Sequence, residues 1–248
     1  MAFYIKEFFN NPAGKGSAIL NIQATKDKFE SKYNEIHKKI SHKTYFVKDS
    51  IYIIVNIPSS VEGIMYDVLL KFEPNKKSVG GTIVDMEMQI FSNSPSFLYT
   101  YANAYSKQGL FIKECKKKLS SKMLSDIAKT RNPYGVLSYD FSVFASLHYI
   151  LTNGYTNISD LQITGAKKGT INDVLRDIKD AEALQKTRKI QKDHNKMIEQ
   201  EKLKTSKNIS VKKNDFTPDT DKKIHEVKTV KNGTHIKKSK YAKKVKRI

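Results

Sequence analysis

The chain holds one cysteine, Cys115, set among lysines in KECKKK. Neighbouring ammonium groups favour the thiolate, which is the reactive form of the side chain. No nucleophile elbow or nearby histidine pattern accompanies it, so the expectation is a surface thiol without a catalytic part. A second candidate is the pair Asp85 and Glu87 in TIVDMEMQI. Alternate residues of a strand point the same way, and two carboxylates on one face could hold a cation for metal-dependent nuclease chemistry. Solvated strand residues give the same pattern and are the expectation here. The six histidines, His37, His42, His148, His194, His225 and His235, include no i, i+4 pair with a carboxylate, and Cys-x-x-Cys is absent. Zinc and haem therefore lack a ligand set.

Two further stretches invite chemistry. NPAGKGSA resembles a nucleotide phosphate loop, but Lys15 is followed by Gly16 and no glycine stands at the required upstream place, which leaves a plain loop. Phe97, Tyr101 and Tyr105, four apart on a helix, could stack unpaired bases. Base platforms usually sit on sheets with interleaved Arg, so these rings are expected in the core or at a protein contact. His148, on an apolar helix face, is expected to be a hydrogen-bonded core residue. No catalytic residue, metal site or cofactor is predicted.

Charge is the signal that remains. The formal charge is +20, with 45 Lys and Arg against 25 Asp and Glu. From Lys202 to Ile248 there are sixteen basic and four acidic residues, a net of +12 that leaves +8 for residues 1–201. Such segregation points to a solvated segment meeting a dense negative partner. Lys231, Lys237, Lys238, Lys240, Lys243, Lys244, Lys246 and Arg247 are the predicted phosphate contacts, made by sequence-blind charge neutralisation. Its end, Lys231 to Ile248, has no Phe, Leu or Trp to anchor it at a membrane surface. No stretch approaches the ~18 apolar residues that a bilayer requires. MAFYIKEFFNN lacks a basic region leading into a long apolar core, so no secretory signal is expected, and a single cysteine fits a reducing compartment.

The elements that would carry these residues follow from periodicity. Residues 1–24 are expected to form an arm or a short opening turn. From Ala24 to Ile40, Phe29, Tyr33, Ile36 and Ile40 recur at helical spacing. KTYFV, IYIIVNI, IMYDVLLKF and TIVDMEMQI alternate as four strands of an antiparallel meander, the first two flanking Lys48-Asp49-Ser50. Helices follow: one capped by Ser94 with Pro95 in its first turn and Gly109 as its stop, a weaker one over Lys113–Lys129, and one opened by Ser138 and ended by Asn153-Gly154. Residues 154–169 look like loop. Thr170 and Asp173 form a capping box for a long helix towards Glu201. Its stripe of Ile171, Val174, Leu175, Ile178, Ala181 and Leu184 thins to Ile190, Met197 and Ile198.

The expected organisation is α+β: an arm (1–24), a globular domain with a four-stranded antiparallel sheet packed with helices (25–185), a projecting half-helix (186–203) and a basic, extended tail (204–248). The block IFSNSPSFLYTYANAYSKQGLFI and KTRNPYGVLSYDFSVFASLHYIL, about residues 90–151, resembles segments of virion structural proteins of tailed bacteriophages infecting low-GC bacteria. Lys, Asn and Ile richness with no Trp agrees with an AT-rich genome. The resemblance implies a non-enzymatic head, neck, portal-proximal or internal component of a particle. It would be made in the host cytoplasm, dock on other virion proteins and face packaged DNA. It carries no catalytic or ligand-binding motif. Charge segregation alone also fits a free, sequence-nonspecific DNA- or RNA-binding protein.

Overall fold

The computed structural model describes residues 3–10, 22–74, 81–123, 140–163 and 165–214. Two compact units divide the chain, Met1–Gln200 and Glu201–Ile248; of the second, only helical residues 201–214 are described. The helices are α1 (Ile5–Asn10), α2 (Ile22–Ile36), α3 (Ala102–Lys107), α4 (Phe141–Thr152), α5 (Ile158–Ile163), α6 (Ile171–Arg176) and α7 (Ala181–Asn214). The strands are β1 (Ser41–Val47), β2 (Ser50–Pro58), β3 (Met65–Glu73), β4 (Glu87–Ser92) and β5 (Lys167–Lys168).

Strands β1 to β4 make the antiparallel meander that alternation predicts. The first hairpin closes tighter than expected, because Ser50 already pairs with Val47 and only Lys48 and Asp49 turn. Lys48 takes the left-handed conformation, φ 54°. The fifth strand corrects the four-stranded, all-antiparallel expectation. It pairs parallel with β1 at Tyr45 and Phe46, giving a mixed sheet in the order β4-β3-β2-β1-β5. Two exposed lysines carry no alternation, so only this pairing and the Gly169 N–H donating to the Phe46 carbonyl (3.1 Å) define it.

Helices cover both faces of the sheet. Cross-strand partners share a face, so Val55, Val68 and Ser92 lie together, and the Ser92 hydroxyl meets Ser142 of α4 at 3.1 Å. Helix α2 lies against α4 through Phe29 on Phe141 and Phe144, and Tyr33 on His148. Asn56 and Asp67 share the opposite face, where Asp67 reaches the junction between α6 and α7. Double coverage explains why Asp67 and Leu69 are as buried as Val68 and Leu70.

Several expectations change. The opening segment, expected as an arm, places Phe3, Ile5 and Phe8 in the core, and the Phe3 carbonyl accepts from the Met88 N–H (2.6 Å). Burying such side chains yields about 1.5–3 kcal/mol each, ample reason for the segment to fold back. Ser94 caps its helix as expected, its hydroxyl accepting from the Phe97 N–H (3.2 Å), but Phe97–Tyr101 winds as a π-helix before α3. The described part of 113–129 is a 3-10 helix, Lys113–Lys118, with a helical turn at 121–123. Asp140 caps α4, accepting from the N–H groups of Ser142 and Val143; Ser138 lies outside the described residues. The stretch expected as loop, 154–169, holds α5 and β5.

The long helix is broken. Thr170 and Asp173 form the predicted capping box on α6, which stops at Arg176, and α7 starts at Ala181. The sheet supplies the reason. Asp67, fully buried on β3, accepts from the Asn56 amide (2.8 Å), the Asn93 amide (3.0 Å) and the Lys179 backbone N–H (2.8 Å). Asn93 accepts in turn from the Asp67 N–H (2.8 Å). A buried carboxylate requires such donors, and taking one from Lys179 uses an N–H that a continuous helix would have bonded internally. Replacing Asp67 by Ala takes this acceptor from the Asn56 amide and the Lys179 N–H and leaves the Asn93 amide only the Lys179 carbonyl. The expected loss is about 3 kcal/mol or more of unfolding free energy in urea titration; a loss under about 1 kcal/mol would remove this network as the organising contact.

Candidate polyanion-binding groove

The residues weighed for catalysis or ligand binding lie apart in the fold. Cys115 is fully buried, not a surface thiol. Burial, reinforced by Glu114 and only opposed by Lys118, pushes the thiol well above its ordinary value, reversing the effect expected from its lysine neighbours. Asp85 ends a 3-10 turn (Ile83–Asp85) and Glu87 begins β4, so they are not alternate residues of one strand. Phe97 and Tyr105 are buried and Tyr101 is half-buried, which places these rings in the core as expected. His148, half-buried, packs against Tyr33 with ring centroids 4.3 Å apart and the ring planes tilted by 49°. Among the described residues no group of three or more His, Cys, Asp or Glu could hold a metal ion, and no helix is long and apolar enough to cross a membrane. NPAGKGSA and the eight basic residues from Lys231 to Arg247 lie outside the described residues.

The buried polar groups serve the fold. Burial raises the Asp140 carboxyl, opposed by hydrogen bonds from Ser142, Ser96 and two backbone N–H groups. The Ser142 hydroxyl donates to Asp140 and lies 3.3 Å from the Ser94 hydroxyl, so the serines link α4 to the start of the π-helix. Asp177 accepts from Lys43 (2.8 Å) and Tyr45 (2.5 Å). These bonds hold its carboxyl below the ordinary 3.8, while burial and the same bond push the Tyr45 hydroxyl up to about 12.

Charge is gathered elsewhere, in two adjoining hollows that share Ser120, Glu182 and Lys186. One wall comes from 117–123 and the other from the first turns of α7. Lys117, Lys118 and Lys122 face Lys186 and Lys189 across the pair, and the hollow that reaches Tyr99 and Gln185 measures about 280 Å³. The two acids are already engaged. Asp180 pairs with Lys118 at 3.5 Å and Glu182 with Lys186 at 3.1 Å. Hydrogen bonds from Lys186 and then Ser120 hold Glu182 below its ordinary value, so it stays an anion bound to its neighbours. Lys117, Lys122 and Lys189 are exposed and form no ion pair among the described residues. The π-helix brings Tyr99 to this place, its hydroxyl donating to the Gln185 side-chain oxygen (3.1 Å). The Gln185 amide nitrogen is buried without a hydrogen-bond partner among the described residues. The result is a concave surface rich in donors and positive charge. Sequence reasoning placed the phosphate contacts in the carboxy-terminal segment and missed this groove, whose two lysine walls lie some 65 positions apart in the chain.

The ionisations fix two outcomes. A carboxyl held low in the fold contributes stability above its unfolded value and loses it as pH falls. Asp177→Asn is therefore expected to lower stability at neutral pH, with the difference shrinking below pH 3.8, in urea midpoints measured across pH. Cys115 is expected to resist a thiol reagent in the native protein and to react fully once urea unfolds it; fast native labelling would contradict its burial. Comparison of the chain with models of known families, with curated proteins and with solved structures gave no significant match.

Proposed function

We propose that this protein is a non-enzymatic structural component of a DNA-containing virion, docking on other particle proteins through its folded body and meeting packaged DNA through its basic carboxy-terminal segment. The observation that carries the reading is the separation of chemistry from charge. Every buried ionisable cluster described above is spent on caps, turns and sheet contacts. The positive charge is gathered apart from them along the sequence, with a net of +12 beyond Glu201. A catalyst needs a perturbed acid, base or nucleophile facing a cleft; here the one thiol is sealed and the buried carboxylates are locked in hydrogen bonds. The resemblance of residues 90–151 to tailed-phage virion proteins supplies the particle, and the charge supplies the DNA. Head, neck and internal positions all satisfy both.

Two measurements test this. Mass spectrometry of purified particles should recover the protein at constant stoichiometry; recovery only as a free protein that shifts DNA would favour a modulator of nucleic acid instead. In the full chain, changing the eight basic residues from Lys231 to Arg247 to Gln should weaken binding to random-sequence duplex. If seven of those cations engage phosphates, log K loses roughly 6 from its slope against log salt. Unchanged affinity with normal particle assembly would overturn the reading.

A further inference from the structure

We propose that the folded body carries a second phosphodiester-binding track, separate from the carboxy-terminal segment, formed by the lysine groove and its continuation along α7. It rests on the reading above for one premise only, that the polyanion is a nucleic acid.

The continuation follows from helical spacing. Lys186, Lys189, Lys192 and Lys196 succeed one another at steps of three, three and four residues, which holds them on one side of a helix. All four are exposed, and ten residues of helix give this row a length of about 15 Å. The row begins inside the groove, where Lys186 and Lys189 stand opposite Lys117, Lys118 and Lys122. Asp193 is the one acid between Lys186 and Lys196. Since Asp180 and Glu182 are neutralised by Lys118 and Lys186, the charge left for a ligand is that of Lys117, Lys122, Lys189, Lys192 and Lys196, less the one negative charge of Asp193 on the same side of the helix.

The chemistry favours a phosphate polymer over other anions. The donors are ammonium groups on flexible stems, which act as point charges without demanding one geometry. They follow a line, which suits a regularly charged chain better than a single anion. An acidic helix would need a row of apolar anchor sites, and the apolar side chains lining the groove are those of Leu119, Met123 and Ala183, of which Leu119 and Met123 are buried. The Gln185 amide nitrogen, which has no hydrogen-bond partner among the described residues, and the neighbouring Tyr99 place one neutral donor and one ring in the groove. With the ammonium groups they offer a backbone-and-sugar contact, sequence-blind and salt-sensitive.

The test uses the full chain in three forms: unaltered, with Lys117→Gln, Lys122→Gln and Lys189→Gln together, and with the eight carboxy-terminal basic residues changed to Gln. Binding to random-sequence duplex and single strand is titrated over salt. The groove variant should keep its melting temperature and reduce the log–log slope by roughly 2–3, at about 0.9 per cation on duplex and 0.7 on single strand. Adding Lys192→Gln and Lys196→Gln should remove up to roughly 2 more. The carboxy-terminal variant should retain a residual slope that the five lysine changes, added to it together, then abolish. An unchanged slope in the groove variant overturns the track while leaving the carboxy-terminal reading intact. Loss of all binding in the carboxy-terminal variant overturns the track as well. If polyglutamate binds with the same three-lysine dependence while DNA shows none, the nucleic-acid assignment falls.

Discussion

The fold is organised around one demand: the Asp67 carboxylate, buried in the middle of the sheet, must be met by donors. It meets them in three places far apart in sequence: Asn56 on the neighbouring strand, Asn93 just past β4, and the backbone of Lys179 between two helices. Each donor stabilises an ion that would be intolerable without it. The carboxylate thereby ties β2, β3, the end of β4 and the last helical layer into one unit. It also decides where α7 begins, and Leu184, packed with Val61, Ile64 and Tyr66, holds the first turns of that helix in place. The lysine groove depends on this placement, because one of its walls is those same turns.

Much of the scaffold is legible in the sequence, for identifiable reasons. Strands β1 to β4 show alternation bounded by turns, and the capping box at Thr170 and Asp173 is a local pattern that needs no tertiary partner. The apolar stripe from Ile171 to Leu184 names the residues that dock, and the exposed Ile190 and Met197 mark where docking stops. What escapes notice is set by tertiary context. Strand β5 exists only because β1 offers it an edge. The break before α7 exists because a side chain of the sheet takes a backbone donor. The opening segment folds in because its aromatics find room beside Tyr105 and Phe144. Cys115 sits among lysines in sequence, yet its side chain turns inward while theirs turn out.

The same distinction applies to the functional reading. A basic carboxy-terminal run is visible in composition, since like charges next to one another need no fold to be counted. The groove is not visible that way. Lys117 and Lys122 belong to a short, irregular helical stretch, Lys186 and Lys189 to a long helix, and only packing sets them face to face. Acids are fewer there, and the two that line the groove are taken up by Lys118 and Lys186, which leaves the remaining lysines as a surplus of positive charge on the surface.

The two lysines of β5 have an effect of their own. They stand at the rim of the sheet, where unsatisfied peptide groups would otherwise invite a strand from a neighbouring molecule. A rim marked by two adjacent ammonium groups repels its own copy, which disfavours the edge-to-edge pairing by which sheets fuse into fibres.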